Sequence, residues 1–134
     1  IVGVKDSSYN LFEKLKLENF SLMPGSESKL LKGLELGCSG IITATCNVTA
    51  QLARRVYDDF FSGKEQMYNQ KLIDVRNAFE KYNLISALHT FKSKEDKIYE
   101  NVLPPLGLLD SENDNSLMEN LKKLDFQIKS KLAA

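Results

Sequence analysis

Apolar positions fall in two alternating rhythms along the first half of the chain. The short runs IVGV (1–4), FSLMPG (20–25) and SGIITAT (39–45) are nearly continuous in apolar character, and each is followed by residues at helical spacing. Residues 9–16 carry Leu11, Phe12 and Leu15. Residues 27–36 carry Leu30, Leu31, Leu34 and Leu36 and stop at Gly37. After the third run, Thr49 is placed to cap a helix bearing Leu52, Ala53, Val56, Tyr57 and Phe60, which ends at Gly63. Continuous rather than alternating strands predict a sheet covered on both faces, and strand followed by helix three times predicts parallel βαβ units. From Lys64 onward the pattern is helical only. One helix is predicted over 64–82 (Met67, Leu72, Val75, Phe79) and another over 84–93. VLPPLGLLD (102–110) then breaks the pattern at Pro104 and Pro105, and a last helix over 116–132 opens on the capping box Ser116 with Glu119.

The fold class read from this pattern is α/β: βα units over residues 1–63 and a helical extension over 64–134. Three parallel strands leave two edges of unpaired backbone groups, so they are expected to be part of a larger sheet. The chain opens on Ile1, without an initiator methionine and already inside a strand-like run. Residue 1 is therefore expected to be a point inside a longer natural chain.

Composition narrows the partners. Of the 134 residues, 43% are apolar and 27% charged, as in an ordinary globular domain. Eighteen basic residues balance eighteen acidic ones, which provides no global field for nucleic acid or anionic lipid. No run approaches the ~20 apolar residues of a membrane helix. Cys38 and Cys46 lack zinc-type spacing and read as buried free thiols of a cytoplasmic protein. The sequons at Asn19 and Asn47 carry little weight without a signal peptide. His89, the only histidine, lies in a helical stretch and reads as a surface or packing residue. Arg54, Arg55, Lys122, Lys123, Lys129 and Lys131 read as solvated helix faces interleaved with acidic residues. The stripe Leu72, Val75, Phe79 is core or oligomer interface, and VLPPLGLLD a packing loop between the extension and the strands.

Lys5 is the residue that does not fit a buried strand. One reading is a strand-end lysine whose amine reaches water along its own stem. The other is functional, since polar groups at the carboxyl ends of parallel strands form the sites of α/β folds. Burial in an apolar interior favours a neutral amine, which is a nucleophile able to form a Schiff base with a ketone. The other strands end in polar turns as well: Gly25, Ser26 and Glu27 after the second, Thr43, Thr45 and Asn47 after the third. Residue types alone leave a polar catalytic rim and ordinary loop-and-cap chemistry both open.

IVGVKDSS, MPGSE, GCSGIITATCNV and PPLGLLD together resemble, in order and spacing, the dihydrodipicolinate synthase / N-acetylneuraminate lyase family of class I, pyruvate-dependent aldolases. The resemblance covers essentially all of the chain and the C-terminal half of a family member. It implies the C-terminal part of a (β/α)8 barrel, strands six to eight, followed by helices. Lys5 resembles the lysine that forms the Schiff base with pyruvate, buried and facing a closed pocket. Gly25, Ser26 and Glu27 resemble the turn lining that pocket. Ile42 resembles the residue whose backbone carbonyl faces the keto acid, with Thr43 beside it, and Asn47 matches a structural motif position. The implied partners are pyruvate or another 2-keto acid and an aldehyde, with no metal, organic cofactor, nucleic acid or membrane. A homo-oligomer, dimer or tetramer, is implied for the parent protein.

The family's carboxylate-binding turn, its arginine and its proton-relay tyrosine would lie upstream of Lys5. Tyr9 is too close to the lysine for that role, and Tyr57, Tyr68 and Tyr82 fall on later helices. The chain alone is thus expected to be inactive and to pair its open edges. Among named activities the resemblance points to 4-hydroxy-tetrahydrodipicolinate synthase, acting on pyruvate and aspartate semialdehyde. The alternatives are a 2-keto-3-deoxy sugar acid aldolase or N-acetylneuraminate lyase, and, of another class, an inactive half-barrel serving as a binding or assembly module.

Overall fold

The computed structural model describes residues 1–127. Two compact units are formed, residues 1–73 and 74 onward. The first holds strands β1 (Gly3–Asp6) and β2 (Ser21–Pro24), a 3-10 turn (Glu27–Lys29), and helices α1 (Leu30–Glu35) and α2 (Cys46–Phe61). Helix α3 (Asn69–Glu80) begins in it. The second holds α4 (Leu84–Ser93), a 3-10 turn (Lys97–Glu100) and α5 (Ser111–Lys123).

β1 and β2 pair in parallel, with Gly3 opposite Ser21, Val4 opposite Leu22, Lys5 opposite Met23 and Asp6 opposite Pro24. Side chains alternate across a strand. Val4, Asp6, Leu22 and Pro24 therefore share one face, and Gly3, Lys5, Ser21 and Met23 the other. The first face is covered: Leu22 packs with Phe12 and Cys38, and Val4, Leu15 and Leu36 close around them. A second cluster joins Leu30 and Leu34 of α1 to Ala53 and Val56 of α2 and Leu72 of α3. Each fully buried leucine there contributes about 2 kcal/mol.

The third predicted strand is not a regular one. Residues 39–45 run extended beside β2, bound by Ser39 N–H to Leu22 O (3.1 Å) and Ile42 N–H to Pro24 O (3.2 Å). The step from Ser39 to Ile42 spans three residues against two on β2, with Gly40 at φ +146 between them. A parallel ladder needs equal steps, and the extra residue breaks it as a bulge does.

Four helix expectations shift, the first being the helix predicted over 64–82, which runs only from Asn69 to Glu80 and leaves Met67 exposed before it. Residues 9–16 form a single turn, closed by Leu15 N–H to Leu11 O (2.7 Å), because Tyr9 takes a left-handed backbone (φ 58) where a helix would start. α2 is capped at Thr45, not Thr49, and Thr49 is buried within it. α5 starts after Asp110, whose carboxylate accepts Asn113 N–H at 2.9 Å, so Ser116 and Glu119 lie inside the helix and form no capping box. It ends at Lys123, with Asp125 at φ 49. Residues 124–127 of the predicted span 116–132 are not helical, and its remainder from 128 on, with Lys129 and Lys131, lies outside the described residues.

Other expectations hold. Asn83 caps α4 over the predicted span, its side chain accepting Ser86 N–H at 3.1 Å. Leu72 is buried in the first unit. In the second, Val75 and Phe79 are buried, and Phe79 meets Phe91 edge-on at 5.5 Å. His89 Nδ1 bonds to Tyr99 O at 2.8 Å, a packing role. Of the loop 102–110, expected to pack between the extension and the strands, the attachment to the extension is seen: Leu109 N–H donates to Thr90 Oγ1 of α4 at 2.9 Å. Arg54 pairs with exposed Asp58 at 2.8 Å, and Arg55 lies over the Tyr68 ring. Among the described residues no helix is long and apolar enough to cross a membrane.

Candidate active site

Lys5 lies at the carboxyl end of β1, beside Met23 of β2. Its stem passes over Gly25, where an added Cβ would stand 3.3 Å from Lys5 Cε and 3.2 Å from Ser7 Oγ. The absent side chain at residue 25 thus makes the space the lysine occupies. One expectation is corrected: Lys5 is exposed, not buried. Its strand neighbour on the same face is a glycine, and the facing Ser21 and Met23 are only half-buried, so these neighbours leave the amine uncovered.

The next residue anchors the rim. Asp6 is 1% exposed, and its carboxylate accepts four hydrogen bonds: Ser8 N–H (3.1 Å), Ser8 Oγ–H (2.8 Å), Leu11 N–H (2.9 Å) and Phe12 N–H (3.0 Å). Burial alone would raise the pKa of this acid. The hydrogen bonds from Phe12, Ser8 and Leu11 outweigh it and hold the carboxyl below its ordinary value. Asp6 also receives Gly25 N–H on its backbone carbonyl (2.9 Å), so it joins the end of β1 to the turn after β2. Its signal in the sequence is Asp followed by Ser-Ser, an Asx-type turn former.

A depressed carboxylate pKa in the folded state stabilises at pH values above the unfolded value of about 4 and is lost as pH falls through the folded value. Asp6→Asn is therefore expected to cost about 2 kcal/mol at neutral pH. It should also flatten the loss of stability below pH ~4. Urea midpoints of both proteins between pH 3 and 7 check this, and parallel acid limbs would refute it.

The turn 25–27 and the segment 42–45 meet through side chains. Ser26 accepts Ser28 N–H at 3.3 Å and starts the 3-10 turn. Glu27 is fully buried, and its Oε1 accepts the hydroxyls of Thr43 (2.7 Å) and Thr49 (3.0 Å). Thr43 Oγ1 also accepts Cys46 N–H (3.1 Å) and lies 3.4 Å from Thr45 Oγ1. An unpaired buried carboxylate costs several kcal/mol, and hydroxyl donors make it tolerable. Ile42 is 45% exposed and is tied by its N–H to Pro24 O. Asn47 donates from its amide to Ala44 O at 2.8 Å, a helix-start role.

The cysteines are free, as expected, although only Cys38 is buried. Burial pushes the Cys46 thiol up, and the Glu27 charge adds to this against the hydroxyls of Thr43 and Thr49. Burial and the Asp6 charge raise Cys38. A cavity of about 330 Å³, lined by Leu15, Phe20, Leu36 and Cys38 among others, lies at the amino-terminal end of β2. Sites of parallel α/β folds form at the other end, where Lys5 lies.

A profile of the dihydrodipicolinate synthetase family matches residues 1–124. The chain is 30% identical over 137 aligned residues to a 4-hydroxy-tetrahydrodipicolinate synthase of Buchnera aphidicola subsp. Cinara cedri, covering 92% of this chain and 43% of that protein. It is 27% identical over 114 residues to a 2-dehydro-3-deoxy-D-gluconate/2-dehydro-3-deoxy-phosphogluconate aldolase of Picrophilus torridus, covering 79% and 42%. The chain thus spans less than half the length of these curated relatives. Its fold matches YagE, a prophage protein of the dihydrodipicolinic acid synthase family from E. coli K12 solved in complex with pyruvate. That match has a TM-score of 0.73 and 19% identity over 94% of this chain and 47% of that one. The lysine at the end of a parallel strand, the glycine that makes room for it and the polar turns beside it are carried by a chain that belongs to the dihydrodipicolinate synthetase family.

Proposed function

We propose that this chain supplies the Schiff-base lysine and part of the keto-acid pocket of a pyruvate-dependent class I aldolase, with Lys5 as the nucleophile. Residues 1–63 correspond in this reading to the last three βα units of a (β/α)8 barrel and 64–134 to its helical extension. Supporting observations are the position of Lys5 at the carboxyl end of a parallel strand with its stem over Gly25, and family membership. The amine of Lys5 attacks C2 of pyruvate, and loss of water leaves an iminium. That cation accepts the electron pair of a C3–H bond as the proton leaves, giving an enamine. The enamine carbon adds to the aldehyde carbonyl, and hydrolysis of the new iminium frees Lys5 and the product. Gly25, Ser26 and Glu27 form the turn beside the lysine, and Ile42 and Thr43 bring a backbone carbonyl to the bound keto acid.

The activity favoured is 4-hydroxy-tetrahydrodipicolinate synthase, with aspartate semialdehyde as the aldehyde and an oligomeric, cytoplasmic enzyme as its setting. The likeness to the Picrophilus aldolase favours a second reading, cleavage of a 2-keto-3-deoxy sugar acid by the same steps reversed. The test is reduction with borohydride in the presence of pyruvate, on the natural full-length protein. A covalent adduct mapped to Lys5 by mass spectrometry is expected, and an adduct on another lysine, or none, would overturn the proposal. Condensation with aspartate semialdehyde and cleavage of 2-keto-3-deoxygluconate, assayed side by side, separate the two readings.

A further inference from the structure

We infer that Glu27 is a positioning residue that acts through Thr43. It sets the segment bearing the Ile42 carbonyl against the turn over which the Lys5 stem passes. This rests on the pyruvate-aldolase reading above and assigns to Glu27 a role other than contact with substrate.

Three observations carry it. Glu27 is 0% exposed, so its carboxylate faces hydroxyls of its own chain. The segment 39–45 forms no ladder with β2, and two backbone bonds, at Ser39 and Ile42, attach it there. The 2.7 Å bond from Thr43 to Glu27 is therefore a third attachment, and it lies one residue beyond Ile42. The same turn carries Gly25, whose N–H is fixed by Asp6 O and whose missing Cβ leaves room for Lys5 Cε. Lys5, Gly25, Glu27, Thr43 and Ile42 thus form one connected path. A hydrogen bond to an ionised acceptor in a water-poor site is stronger than a neutral one, which suits it to hold an irregular segment in place.

The test uses the natural full-length protein and the pyruvate concentration that gives half-maximal borohydride labelling of Lys5. Thr43→Val keeps the shape of the side chain and removes the hydroxyl. It is expected to raise that concentration about tenfold, with the label still on Lys5. Thr43→Ser, which restores the hydroxyl, should stay within about threefold of wild type. Urea midpoints are measured in parallel, since a purely structural role would lower stability without moving the labelling concentration. Labelling of Thr43→Val at the wild-type concentration would overturn the inference. If that variant does not fold, Glu27→Gln is read in its place by the same criterion. Failure of the wild-type protein to be labelled at Lys5 would overturn the aldolase reading itself.

Discussion

Replacing Lys5 with alanine in the natural full-length protein is expected to lower turnover at least ~10³-fold while leaving the protein folded, because no imine can form without the amine. The side chain is exposed, so its truncation removes little buried surface, and stability should change by less than about 0.5 kcal/mol. Lys5→Arg should be equally inactive. It keeps the positive charge, but the guanidinium stays protonated and cannot attack a carbonyl. The pair of variants separates nucleophile from electrostatic group: a lysine that only attracted the keto-acid carboxylate would be replaced in good part by arginine. Pyruvate consumption and thermal melts measure the two quantities, and near-normal turnover in either variant would place the chemistry elsewhere.

Much of the site-bearing part of the fold is legible in the hydrophobic pattern. The continuous apolar runs around Val4 and Leu22 identify two parallel strands, and the leucines of 30–36 identify the helix between them and the next extended segment. What is hidden is local backbone geometry. GIITAT is as apolar as either strand, and nothing in its hydropathy shows that Gly40 inserts an extra residue against β2. Tyr9 has no turn-former's composition, yet its left-handed backbone and the Asp6 carboxylate on Leu11 and Phe12 replace a helix with one turn.

Helix starts are hidden for a different reason. Between Thr43 and Thr49 three threonines offer a capping hydroxyl, and hydropathy does not show that two of them, Thr43 and Thr49, turn inward to the buried Glu27. At α5 the first turn, SENDN, is polar throughout, so the apolar rhythm begins after the helix does. The strand-end position of Lys5 and the polar turns near it are recognisable from motif spacing. The exposure of Lys5 is not, because a family motif implies a closed barrel, and two strands present one open face. Glu27 stands out in the sequence as part of the polar turn after β2, but its hydroxyl partners come from 16 and 22 residues downstream, a pairing that no local pattern displays.

Gly3→Ala is expected to be the most destabilising single-methyl change in the first unit, at about 3 kcal/mol. A Cβ at residue 3 would stand 2.7 Å from Ser21 O and 3.0 Å from Ser21 Cβ. The nearer obstacle is backbone, directly opposite in the parallel register, so no side chain can rotate away to relieve it. Relief requires the strands to separate, which strains the pairing from Gly3 to Asp6 and the Ser21 N–H bond to Val2 O at 2.9 Å. Gly37→Ala provides the contrast. Nothing lies within 4 Å of its added Cβ, and its φ of +87 should cost only about 1–2 kcal/mol of backbone strain. Urea unfolding at constant m-value reads both changes on one scale. Lys5 is two residues from Gly3 on the same face, so strand separation should also displace the amine from Gly25 and reduce borohydride labelling at fixed pyruvate. Gly37→Ala should leave that labelling unchanged. If Gly3→Ala costs no more than Gly37→Ala, the β1–β2 spacing is not what places the lysine.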